Sequence, residues 1–164
     1  MQSEKNKAVF LDRDGVINQE RGEYTWLLED FKLNDGLIEA LKVFRKKKYL
    51  LIVISNQSGI SKGVYKKEDA EYLHLHLSRI VRNQGVDLTE IYYCPHHPDI
   101  SKCICRKPDS LLLEKALARF NLDAGQCYFI GDADRDIEAG RKAGVRTIKI
   151  EPNSSLRDVI HLVD

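Results

Sequence analysis

An excess of charge of either sign is missing from this sequence. In 164 residues, 26 Lys and Arg stand against 25 Asp and Glu, a formal charge of +1. Without a net field nothing holds the chain along a nucleic acid or an anionic membrane, so any anion site has to be local. Long apolar runs are missing too, which excludes a helical membrane span, and residues 1–7 lead into no apolar segment with a cleavage signature. A cytoplasmic protein, acting as a monomer without nucleic-acid or membrane partners, is expected. Repeats, low-complexity stretches and linkers are absent, and with 43% hydrophobic residues the chain can bury a core of its own, so one domain is expected over residues 1–164. Cysteine is scarce. Of four, Cys94, Cys103 and Cys105 fall within twelve residues, a clustering that points to metal rather than to a disulfide framework spread along a secreted chain.

What is present is alternation. Short apolar, β-prone runs at 8–11, 50–54, 91–93, 127–130 and 145–150 predict strands buried on both faces. Between them, helical spacing predicts helices over 37–48 (with Asn34-Asp35-Gly36 as a capping segment), 66–83, 110–120 and a short one ending at Gly144. Residues 18–34 show no period and predict a long loop over the strand ends. The pattern predicts a doubly wound α/β fold with a parallel sheet, in which ligands bind outside the carboxyl ends of the strands. His74 and His76, two apart on a helix, diverge and are assigned to surface or packing, and the basic run 45–48 to a solvated helix end.

Three strand ends carry chemistry. The first predicted strand stops at Asp12 and Asp14, one residue apart, where one carboxylate can attack while the other moves protons. Close carboxylates repel unless a cation lies between them, and Asp132 and Asp136 arrive from another strand end; oxygen-only ligands of this kind suit Mg²⁺. Alone, Asp12 and Asp14 would be read as a turn and helix cap. The hydroxyl of Ser55 and the cations of Arg106-Lys107-Pro108 raise the pair above that reading, because a transferring phosphoryl group needs donors and positive charge beside the metal.

A second metal signal is Cys94-Pro95-His96-His97 followed by Cys103-Ile104-Cys105, three thiolates and an imidazole suited to tetrahedral Zn²⁺. Cys94, His96, Cys103 and Cys105 are the expected ligands, with His97 the competitor to His96 and Cys127 assigned to the core. A zinc with four protein ligands is structural. It would pin the loop 94–105 and so place Arg106 and Lys107.

Asp12-Arg13-Asp14-Gly15-Val16, Ser55-Asn56-Gln57-Ser58-Gly59, Arg106-Lys107-Pro108 and Gly131-Asp132 resemble the four ordered motifs of the haloacid dehalogenase (HAD) phosphatase superfamily, over residues 8 to about 150. The resemblance implies a Rossmann-like core without a large cap domain. Asp12 would be the nucleophile, forming an aspartyl phosphate, and Asp14 the general acid and base. Ser55 and Lys107 would grip the phosphoryl group. Mg²⁺ would be held by Asp12, Asp132 and Asp14 through its backbone carbonyl, with Asp136 supporting the metal or Lys107, or serving only as a helix-terminal charge.

Within the superfamily the resemblance is strongest to the branch acting on the 7-phosphate of D-glycero-D-manno-heptose 1,7-bisphosphate, and next to the histidinol-phosphate branch, which matches in the short zinc loop. The heptose branch often carries Lys where this chain has Ala133. Specificity is expected from Glu20, Arg21 and Gly22 in the loop 19–28, from Asn56, Gln57 and Ser58, and from Arg106. A zinc-stabilised binding module is the non-enzyme alternative, and intact Asp12, Asp14, Lys107 and Asp132 argue against it. A nucleic-acid 3′-phosphatase lacks its basic groove.

Overall fold

The computed structural model describes residues 4–164. The reading of the N-terminus as leaderless falls partly on residues 1–3, outside the described residues. Five strands, Ala8–Leu11 (β1), Leu50–Asn56 (β2), Glu90–Cys94 (β3), Tyr128–Gly131 (β4) and Arg146–Lys149 (β5), form one sheet in the order β3-β2-β1-β4-β5. Every pairing is parallel. Helices Leu37–Lys46 (α1), Lys67–Asn83 (α2), Leu111–Arg119 (α3) and Asp134–Lys142 (α4) alternate with the strands. None of the described helices is long and apolar enough to cross a membrane.

Period-two alternation of side chains splits the core between the two faces of the sheet. Val9, Leu11, Leu51, Val53 and Ile130 pack with α1 and α2 on one side, and Ala8, Phe10, Ile52, Ile54 and Phe129 with α3 and α4 on the other. All of these strand side chains are fully buried. At about 1.5–3 kcal/mol for each large side chain, burial on both faces fixes the strand register strongly. Cys127, also fully buried, accepts a hydrogen bond from the Ala8 amide at 3.3 Å and belongs to the core as expected.

Two local expectations change. Asn34 does not cap α1; it is buried and donates to the carbonyls of Val16 (3.0 Å) and Asn18 (3.3 Å), tying the loop to the end of β1, while Gly36 at φ +72° leads into the helix. A 3-10 segment, Leu156–Leu162, which no clear period reveals, packs Leu156 and Val159 against the α1 side of the core.

The chain runs from β1 outward to β2 and β3, then returns to place β4 on the other flank of β1. The crevice between the carboxyl ends of β1 and β4 is therefore the switch point where such sheets bind ligands. Asp12 follows β1 there and Asp132 follows β4.

Candidate active site

At that switch point Lys107 is the organising charge. It comes from the loop after β3 and is 1% exposed. Its ammonium lies 2.9 Å from Asp12 Oδ1 and 2.7 Å from Asp136 Oδ1 and donates to the Ile54 carbonyl at 2.8 Å. Burial works against the charge, but the two carboxylates outweigh it and raise the Lys107 pKa, so the ammonium persists. Two bonds with Asn56 fix the Lys107 backbone: Asn56 Nδ2 donates to its carbonyl at 3.1 Å, and its amide donates to Asn56 Oδ1 at 3.0 Å. Asn56, expected as a substrate contact, thus lines the cleft and also clamps Lys107.

Asp12 is buried, and its Oδ1 takes the Arg13 amide at 2.7 Å as well as Lys107. Its Oδ2 accepts no hydrogen bond from the described residues and is left for chemistry. Burial pushes the Asp12 carboxyl up to about 7 against the pull of Lys107. One ligand oxygen each from Asp12, Asp132 and Asp136 lies within 4.8 Å of the others. Buried Asp132 Oδ1 has no hydrogen-bond partner. Asp132 packs directly on Gly15, where a Cβ would come within 2.0 Å of Oδ2, at a φ of +89° that already favours glycine. An unpartnered oxygen in an all-carboxylate cluster fits a hard divalent cation. Asp136, fully buried, is committed elsewhere: it holds Lys107 and accepts the Ala133 amide at 3.1 Å, so it orients the lysine and caps α4 at once.

The Asp14 carboxylate stands apart from this cluster. Arg13 Nη2 reaches both its oxygens (2.9 and 3.1 Å), Asn18 donates to Oδ1 at 2.9 Å and Gln57 to Oδ2 at 3.2 Å. Burial would raise this carboxyl, but Arg13 and those hydrogen bonds together hold it below its ordinary value. Any contribution of Asp14 to a metal would have to come through its main chain.

The cleft is about 210 Å³, bounded by Asp12, Asp14, Asn56, Gln57, Ser58, Arg106 and Lys107, with Glu20, Glu23, Tyr24 and Thr25 from the long loop. That is below the usual range for a small-molecule pocket, about 300–1,000 Å³, and gives room for part of a ligand rather than the whole of one. Arg106 is anchored through Nη1 to the His96 carbonyl at 3.2 Å.

Three of the expected residues do not line this cleft. Arg21 is paired with Asp30 at 2.9 Å and is not among the residues lining the cleft. Gly22 lines a shallower depression next to the cleft, beside Tyr24 and Trp26. Ser55 Oγ is buried and accepts Gln57 Nε2 at 2.8 Å, which leaves its own proton to donate. Two residues are additions. Arg135 reaches the cleft from the first turn of α4, without an ion pair among the described residues. Arg13, between the two carboxylates, is among the largest fully buried side chains.

In the loop after β3, Cys94 Sγ lies 3.7 Å from Cys103 Sγ and 3.1 Å from Cys105 Sγ, and His96 Nδ1 lies 3.4 Å and 3.3 Å from Cys94 and Cys105. Tetrahedral Zn²⁺ at standard bond lengths spaces its ligands by roughly 3.4–3.8 Å, close to this set. His97 instead faces Asp99, at 3.6 Å, outside the cluster.

The family model for HAD-like hydrolases matches residues 104–159. D-glycero-alpha-D-manno-heptose-1,7-bisphosphate 7-phosphatase of Campylobacter jejuni is 41% identical over 144 residues, covering 88% of this chain and 81% of the relative. The beta-anomer enzyme of Haemophilus ducreyi is 40% identical over 147 residues, covering 86% of this chain and 80% of its own. In three dimensions the chain resembles D,D-heptose 1,7-bisphosphate phosphatase from B. bronchiseptica, solved with magnesium and phosphate, at a TM-score of 0.84 and 24% identity over 95% of this chain and 86% of that one.

Proposed function

Because the chain belongs to the haloacid dehalogenase superfamily of phosphatases, with heptose-bisphosphate 7-phosphatases among its relatives, we propose that it removes the 7-phosphate of D-glycero-D-manno-heptose 1,7-bisphosphate through a phosphorylated Asp12. The observation that carries this reading is Lys107, buried and fixed within 2.9 Å of Asp12 Oδ1 at the sheet's switch point, so that a phosphoryl group meeting the free Oδ2 also meets a preorganised cation.

Asp12 Oδ2 attacks phosphorus; the bond to the sugar oxygen breaks and that oxygen takes a proton from Asp14, which enters the step in its acid form although its Arg13, Asn18 and Gln57 contacts favour the carboxylate. Water then attacks the aspartyl phosphate, Asp14 removes its proton, and phosphate leaves with Asp12 restored. Asp14 has to give and take a proton without drifting into the metal cluster, and its Arg13, Asn18 and Gln57 contacts hold it to one position.

Asp12, Asp132 and the Asp14 main-chain carbonyl would hold Mg²⁺. When bound, it neutralises the clustered carboxylates and the phosphoryl oxygens, favouring the ionised Asp12 that burial alone opposes. Cys94, His96, Cys103 and Cys105 would hold a structural Zn²⁺, fixing the loop that delivers Arg106 and Lys107.

Among the described residues no large cap insertion closes the cleft, so the sugar and its second phosphate lie at the mouth. Arg106 and Arg135, both lining the cleft, supply positive charge there. The test is turnover in Mg²⁺ of the heptose bisphosphate beside histidinol phosphate. A kcat/KM at least about a hundredfold higher for the bisphosphate is expected, since losing paired charges at such a site costs several kcal/mol. Preference for histidinol phosphate would overturn the substrate.

A further inference from the structure

His74 lies on α2, outside the four sequence motifs, and is 6% exposed. Its Nε2 is 3.2 Å from Arg13 Nη1. The same guanidinium donates to the Thr25 carbonyl at 2.6 Å and to both oxygens of Asp14. A guanidinium is only a donor, so the contact has one sense: Nε2 accepts, and the ring proton sits on Nδ1. Burial and the charge of Arg13 drive the imidazole pKa down to about 3, which keeps the ring neutral and able to accept. Tyr93 packs against the ring with centroids 5.3 Å apart.

The Arg13 side chain is 1% exposed, so a donor nitrogen left wholly without a partner there is costly. Asp14 and Thr25 take one edge of the fork and His74 takes Nη1. Without an acceptor at 74, Nη1 is unpaired in a buried site, and the planar fork can regain a partner only by turning. Turning it rotates the Asp14 carboxylate it grips.

We infer that His74 is a positioning residue: through Arg13 it sets the plane of the Asp14 carboxylate and thereby aims the proton at the departing oxygen. This rests on the proposed acid role of Asp14. Proton donation matters most where the leaving oxygen is basic, as in a sugar phosphate, and little for an aryl phosphate that departs as a stable anion. A defect in aiming Asp14 therefore falls unevenly on substrates, whereas a general loss of folded protein falls on all of them alike.

The experiment measures kcat/KM in Mg²⁺ for phosphate monoesters from primary alkyl to p-nitrophenyl leaving groups, in wild type, His74→Leu, His74→Gln and Asp14→Asn. General acids contribute about 10²–10⁴-fold, and misaiming forfeits part of that. The expected loss for His74→Leu is roughly tenfold on alkyl esters and less than about twofold on p-nitrophenyl phosphate. His74→Gln, with an amide oxygen able to accept from Nη1, restores the wild-type pattern. Equal losses of His74→Leu across the series, beside a steep series for Asp14→Asn, would overturn the inference and leave the acid role intact; a flat series for Asp14→Asn would overturn the acid role itself. If His74→Leu does not fold, nitrogen-15 NMR of the wild-type ring decides: an Nδ1–H tautomer with bare Nε2 is expected, and a proton on Nε2 would overturn the inference.

Discussion

Asp12→Asn is expected to lower kcat roughly ten-thousandfold or more while the protein stays folded, since the substitution removes the nucleophile and little else. Asparagine has the volume of aspartate, and its carbonyl oxygen can still take the Arg13 amide and Lys107. Lys107 also keeps Asp136 and the Ile54 carbonyl, so no buried ammonium is stranded, which would otherwise cost about 3–5 kcal/mol. Burial already penalises the Asp12 charge, and stability is therefore expected to change by no more than about 1 kcal/mol. Phosphate-release assays beside thermal melts check both halves. Retained Mg²⁺-dependent turnover in a folded variant would remove Asp12 from its role.

The second large effect concerns the cysteine loop. Ile100 and Ile104, its bulkiest apolar residues, are 56% and 71% exposed. The loop has little core to order it, and Arg106 and Lys107 follow directly after Cys105. Cys103→Ser is expected to abolish stoichiometric zinc, lower the Tm by about 10 °C, and reduce kcat/KM about a hundredfold, because a displaced Lys107 no longer meets the phosphoryl group. Metal analysis, calorimetry and kinetics on the same preparation are the check. Full activity and an unchanged Tm in zinc-free protein would show that the loop holds itself.

Much of this is legible in the amino-acid sequence. Runs such as 8–11 and 50–54, apolar at every position, have little choice but a parallel sheet covered on both faces, and the acidic residues at their ends follow from that topology. Asp12, Lys107 and Asp132 meet because strand ends meet. Less legible was the direction of side chains whose partners are distant in sequence. Arg21 pairs with Asp30, and Ser55 accepts from Gln57. Arg13 gives no sign in the sequence that it turns inward, because its acceptors, Thr25 and His74, come from a loop without period and from a helix that reads as ordinary amphipathic packing. Asn34 was legible as a capping type, but its bonds to Val16 and Asn18 depend on how residues 16–34 fold back.

Which phosphate leaves is the most direct test of the central claim. Phosphorus-31 NMR of D-glycero-D-manno-heptose 1,7-bisphosphate incubated with the protein and Mg²⁺ should show the 7-phosphate resonance giving way to inorganic phosphate while the anomeric 1-phosphate resonance persists. Loss of the anomeric phosphate first, or two unchanged resonances alongside an active p-nitrophenyl phosphate control, would contradict the account.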